Sequence, residues 1–198
     1  MQEIADITLK QNAFVNTQTR LGETPLYLAA ERGLVKMCQR LLDHQPTPAD
    51  INMATRDAWT PLMVATRHGH ADVVRLLLSR GANFVARNHA GDSCLHVAAF
   101  YNQTEVAQLL IGAQCDVNAR NKQGQTPVFA ASENNHYTVL ELLLSANADV
   151  NVQDSKGACA LHFACMNGHT RIVQVGAVTS RNVNSAIPRS RVCCRYRC

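Results

Sequence analysis

Apolar residues in this chain fall into short blocks that return at a near-constant interval. Four blocks have aliphatic side chains at helical spacing: MCQRLL at 37–42, VVRLLL at 73–78, VAQLLI at 106–111 and VLELLL at 139–144. The recurring Val-x-x-Leu-Leu face predicts a helix with one buried side in each. A second, Ala-rich stretch precedes each block: GETPLYLAAERGL from Gly22, AWTPLMVATRHGH from Ala58, GDSCLHVAAFYNQ from Gly91 and GQTPVFAASENNH from Gly124. A fifth, GACALHFACMNGH, starts at Gly157. Thr24, Thr60, Ser93, Thr126 and Cys159 hold equivalent places, 36 residues apart at the first step and 33 at the next three.

Local chemistry makes each stretch a second, shorter helix. Thr24, Thr60 and Thr126 stand just before Pro25, Pro61 and Pro127, an N-cap followed by the residue best suited to the first helical position. Small residues such as Ala29, Ala65, Ala98, Ala131 and Ala164 let neighbouring helices approach. Gly33, Gly69 and Gly168, or Asn102 and Asn135, fall where the chain must turn, and these types tolerate a left-handed backbone. Gly81 or Asn147 ends the second helix. An Asp-Val-Asn type segment then leads to the next unit, at 50–52, 83–85, 116–118 and 149–151.

This wording at this period resembles the ankyrin repeat family. The resemblance implies an all-α fold, an ankyrin-repeat solenoid of stacked helix-turn-helix units with hairpin-like finger loops. In register, residues 1–18 form a partial unit of second helix and finger, and 19–54, 55–87, 88–120 and 121–153 form repeats 1 to 4. Residues 154–174 form a cut-off fifth repeat, and 175–198 an Arg/Ser/Cys-rich tail expected to be disordered. The extra residues around Pro46-Thr47-Pro48 lengthen one loop. Ala58 replaces the finger glycine of repeat 2, so that finger is expected to be strained or reshaped. Where a Leu-rich block should follow Gln174, the chain reads Val175-Gly176-Ala177. The expectation is a truncated or alternative form of a larger protein.

Composition adds less than it first suggests. The formal charge of +4 comes from the end: residues 1–174 hold 15 acids and 14 Lys/Arg, while 175–198 hold five Arg and no acid. The body is near neutral, and nucleic-acid binding by the tail is a weak alternative. No apolar run has the length of a membrane span, and the acidic start lacks the basic region of a secretory signal. Cys38, Cys94, Cys115, Cys159 and Cys165 are scattered singly through the repeats and read as free thiols in a reducing compartment, cytoplasmic or nuclear.

Nothing in the sequence spells an enzyme. There is no phosphate-binding Gly loop, no His-Glu-x-x-His and no Gly-x-Ser-x-Gly. Cys193, Cys194 and Cys198 lack the paired spacing of a zinc site. No metal and no cofactor is expected. His96 and His162 match the His of the family's Thr-Pro-Leu-His motif, which implies a hydrogen-bond network between loops; Tyr27, Met63 and Phe129 replace it in the other units. A Cys94/His96 dyad is the sole catalytic pairing to weigh, and Cys94 occupies the Pro position.

The resemblance further implies a protein partner on the concave face, formed by fingertips and first-helix residues. Carried over by register, the candidates are Trp59, Arg67, His68, Phe100 and Tyr101, with Arg56, Asp57, His89, Asp92, Lys122, Gln125 and Glu133 around them. Trp, Tyr and Arg dominate interface hot spots. The alternative is that these aromatics only pack against neighbouring fingers. Asn118 and Asn151, each following Asp-Val, are similar to positions modified by an Fe(II)- and 2-oxoglutarate-dependent asparaginyl hydroxylase; the plain reading is that they brace the turn. The expected function is a non-catalytic interaction module, scaffold or adaptor. The alternative is the recognition part of a larger enzyme or ubiquitin-ligase adaptor.

Overall fold

The computed structural model describes residues 15–175. The remainder of the expected first half-unit and of the Arg-rich tail, with its three cysteines, lies outside the described residues. The chain divides into two compact units, Met1–His89 and Ala90–Cys198. The division falls inside a finger, two residues after the expected repeat boundary.

In the first unit, α1 (Pro25–Glu31) and α2 (Val35–Leu42) form one hairpin, and α3 (Pro61–His68) and α4 (Ala71–Ser79) the next. First helices pack on each other, α1 on α3, and second helices likewise, α2 on α4. The second unit repeats the plan with α5 (Cys94–Phe100), α6 (Thr104–Gly112), α7 (Pro127–Glu133), α8 (Tyr137–Ser145) and α9 (Ala160–Met166). Residues 170–175 are again helical. No strand occurs among the described residues.

Helix starts follow the caps read in the sequence. The Thr24 hydroxyl accepts from the Tyr27 N–H at 3.1 Å and the Thr60 hydroxyl from the Met63 N–H at 3.2 Å. Thr126 differs: its hydroxyl is buried with no hydrogen-bond partner. The aliphatic blocks supply the core, with Cys38, Leu41, Val73, Val74 and Leu77 buried in the first unit and Val106, Leu110, Val139 and Leu143 in the second. Among the described residues no helix exceeds nine residues, too short to stand alone in water, so packing between successive repeats provides the stability.

Three ladders tie successive repeats together. Arg56 N–H donates to the Leu21 carbonyl at 3.0 Å and His89 N–H to that of Asp57 at 3.1 Å. In the second unit, Lys122 N–H donates to Ala90 and Ser155 N–H to Gln123. A second ladder is asparagine-built. Asn16 Oδ1 accepts from Asp50 N–H, Asn52 Oδ1 from Asn83 N–H, and Asn118 Oδ1 from Asp149 N–H, each at 2.8 Å. A third joins second helices to the preceding first helix. His70 Nε2 meets the Glu31 carbonyl, His136 Nε2 that of Phe100, and His169 Nε2 that of Glu133, all at 2.9 Å.

Ala58 adopts the geometry of its glycine counterparts rather than reshaping the finger. Its φ is +60°. Its N–H donates to Thr55 and Thr55 N–H to Trp59, each at 2.9 Å. The same pair of bonds closes the finger around Gly124. The inter-finger bond from His89 to Asp57 holds this loop in the common shape, and the left-handed alanine carries the strain.

Candidate interaction surface

In the first unit, the short α3 ends in Arg67 and His68, and both side chains reach the exterior. Trp59, at the base of the second finger, is half-buried. The Arg67 guanidinium lies over its ring, 5.8 Å from the centroid. The finger therefore neither swallows Trp59 nor leaves it fully bare. Arg56, Asp57 and His89 are exposed at consecutive fingertips, with His89 Nδ1 4.0 Å from Asp57 Oδ1. His68 is exposed, its ring stacked on that of His70 at 6.0 Å. Tyr27 sits beneath these charges. Burial raises its hydroxyl pKa first; Glu31, Glu23 and Asp57 add to the rise, and Arg67 opposes it.

In the second unit, Phe100 and Tyr101 end α5 with 47% and 37% of their surface open. Their rings meet edge to face at 5.0 Å, a preferred aromatic geometry. Both remain exposed although almost every aliphatic side chain of α5 is buried. Lys122 and Glu133 are exposed. Asp92 and Gln125 are half-buried. Asp92 Oδ1 accepts from Asn121 Nδ2 at 2.9 Å, and the Gln125 carbonyl meets His96 Nε2 at 3.0 Å. Met166, in register with Phe100 and Glu133, is 82% exposed. Met166 carries neither the aromatic ring nor the guanidinium that marks a hot spot in sequence.

Asn118 is half-buried and Asn151 exposed. Both backbone N–H groups donate to an aspartate two residues earlier, Asp116 and Asp149. The aspartates brace these turns, and Asn118 Oδ1 accepts in addition from the Asp149 N–H.

The Cys94/His96 pairing has no catalytic geometry. His96 Nδ1 accepts from the Ser93 N–H at 3.2 Å, so the ring proton is on Nε2, which serves Gln125. Burial, with Cys115 beside it, pushes the Cys94 thiol up to about 12, far from a nucleophilic thiolate. Cys38, Cys94, Cys115, Cys159 and Cys165 hold thiols rather than disulfides; Cys115 and Cys165 are only half-buried. Among the described residues no group of three His, Cys, Asp or Glu could hold a metal ion. None of their helices is long and apolar enough to cross a membrane.

Comparison with known proteins converges on one pattern. The family model for ankyrin repeats in three copies matches residues 1–88 and 95–175, and a second ankyrin model matches 68–111. The chain is similar to the human transient receptor potential cation channel subfamily A member 1, with 35% identity over 44% of this chain and 8% of the channel. It is 37% identical to the rice probable E3 ubiquitin-protein ligase XBOS31 over 39% of this chain and 17% of the ligase. The 26S proteasome non-ATPase regulatory subunit 10 of Dictyostelium discoideum shares 33% identity over 41% of this chain and 34% of the subunit. The matched segments span at most about a third of these relatives.

Proposed function

Since the chain belongs to the ankyrin repeat family, a non-catalytic protein-interaction fold, we propose that it acts as a scaffold or adaptor. In this reading it holds a protein partner on the fingertips and first-helix ends of its two units. The observation that carries the reading is the exposure of Phe100 and Tyr101 at the end of a helix whose other apolar side chains are buried. The Trp59/Arg67 pair is its counterpart in the first unit. Aromatic and Arg side chains on a preorganised frame bind with little ordering cost.

Affinity capture with the full chain and with Trp59→Ala/Tyr101→Ala tests this, followed by binding of the purified captured protein. Hot-spot truncation costs roughly 2 kcal/mol or more, so binding should drop sharply while the thermal midpoint holds. Equal loss of binding and of thermal stability would overturn the assignment of these side chains.

A second reading makes the chain the recognition part of a larger enzyme or ubiquitin-ligase adaptor. Its support is the small share of the relatives that the chain covers, including a protein described as a probable ubiquitin ligase. A longer natural form with an effector domain in frame would establish it. Asn118 and Asn151 are further proposed as hydroxylation positions; mass spectrometry after co-expression with the asparaginyl hydroxylase, showing no added oxygen, would end that idea.

A further inference from the structure

The near-neutral body is two oppositely charged halves. In the first unit, residues 15–89 carry nine Lys/Arg against six Asp/Glu, a formal +3; in the second, residues 90–175 carry four against seven, a formal −3. The cations of the first unit include a set on the fingers and first helices. Arg20 and Arg56 occupy consecutive fingertips, joined through the Arg56 N–H to Leu21 bond. Arg32 follows α1 and Arg67 lies near the end of α3. All four side chains are exposed.

The acids on the same side are more withdrawn. Glu23 is half-buried and accepts from the Thr19 hydroxyl at 2.9 Å. Glu31 is half-buried, and Asp57 alone of the three is exposed. The exposed balance of these groups is therefore four guanidinium groups to one carboxylate, and one of the four, Arg67, lies over the half-buried Trp59 ring. Planar guanidinium groups pair with carboxylates in two-pronged fashion and also stack on indole.

We propose that this side of the first unit docks an acidic peptide segment with interspersed apolar side chains, its carboxylates on Arg20, Arg32, Arg56 and Arg67 and an apolar residue on Trp59. The inference rests on the interaction reading above and gives the partner a chemistry. Discrete carboxylates with apolar residues between them suit the surface better than a phosphate polymer, because the Trp59 ring beside Arg67 seats an apolar side chain that a polyphosphate lacks. Residues 90–175, at a formal −3, disfavour an acidic segment.

Trp59 is the only tryptophan in the chain, so its emission reports on this side of the molecule. The full chain is titrated with a blocked peptide of alternating Glu and Leu, with the Lys and Leu analogue, and with inorganic polyphosphate. The Glu peptide should saturate the signal and weaken as salt rises; the Lys peptide should not bind. Arg56→Glu and Arg20→Glu should each weaken the Glu peptide about fivefold or more. Lys36→Glu, an equal charge change on α2, should leave it within about twofold. Circular dichroism checks that the variants fold. Equal response to both peptides, or indifference to Arg56→Glu, overturns the proposal, and polyphosphate binding as tightly as the Glu peptide replaces it with a phosphate-polymer site. Silence to every probe defeats the acidic-peptide chemistry, whereas the interaction reading fails separately, if Trp59→Ala/Tyr101→Ala keeps its captured partner.

Discussion

His96 Nε2 hydrogen-bonds the backbone carbonyl of Gln125 at 3.0 Å, across 29 residues of sequence. The same ring accepts from the Ser93 N–H and lies 2.8 Å from the Ser93 hydroxyl. One imidazole thus caps its own helix and pins the next finger. Replacement by Phe keeps a planar ring, as Phe129 provides at the equivalent place, and loses all three contacts. His96→Phe should cost about 2 kcal/mol, since buried polar groups lose their partner. Chemical denaturation with an unchanged slope measures it.

Thr126 shows the converse. Its equivalent of His96 is Phe129, whose N–H donates to the Thr126 backbone carbonyl at 2.9 Å and whose ring packs edge-on against Phe163 at 5.8 Å. The Thr126 hydroxyl is left buried and alone. Thr126→Val should therefore be neutral or stabilising. Thr60→Val, which removes a working cap, should cost about 1 kcal/mol. Comparable losses in both variants would contradict the unpartnered hydroxyl.

Ala58→Gly should stabilise the chain by about 1 kcal/mol. Relief of a left-handed alanine outweighs the added freedom of the unfolded glycine. The expected rise in thermal midpoint is paired with unchanged Trp59 emission, because the finger already has its glycine-like shape.

The buried thiols make stability fall on the alkaline side. Burial pushes Cys94 up to about 12, and Cys38 and Cys115 up to about 11, from an ordinary value of 9.0. The folded state favours the neutral thiol. Its contribution is complete below the unfolded pKa near 9.0 and is lost as pH climbs through the folded values. Unfolding free energy should fall across that window, less steeply in Cys94→Ala. Located alkylation below it should label Cys94 only under denaturant.

Helices, caps and turns were legible because each depends on residues within a turn or two: Thr24 with Pro25, or the Leu-rich face of 73–78. The finger around Ala58 escaped the rule that glycine is needed, since its neighbours hold it from outside the local sequence. The frame role of Asp92 was hidden for a related reason: its partner Asn121 is 29 residues away. His70, His136 and His169 stand just before second helices, and their carbonyl partners lie 36 to 39 residues back, beyond any local pattern. Charge was legible only as a sum; the opposite signs of the halves appeared once the boundary at His89 was known.

The asparagine ladder gives the chain a quantum of length. Asn118 reaches the Asp149 N–H, and each rung assumes that the next turn arrives a whole repeat later. Removing residues 121–153 would join Arg120 to Asp154, positions that already stand in succession within the pattern. Removing one residue from α7 or α8 would turn its later side chains off the core face, whereas the three extra residues between Asn16 and Asp50 loop out and leave that rung intact. The second unit should thus tolerate the loss or gain of complete repeats far better than a frame-preserving change of one codon, an asymmetry that a library of graded deletions between Ala119 and Asp154 would reveal as isolated survivors.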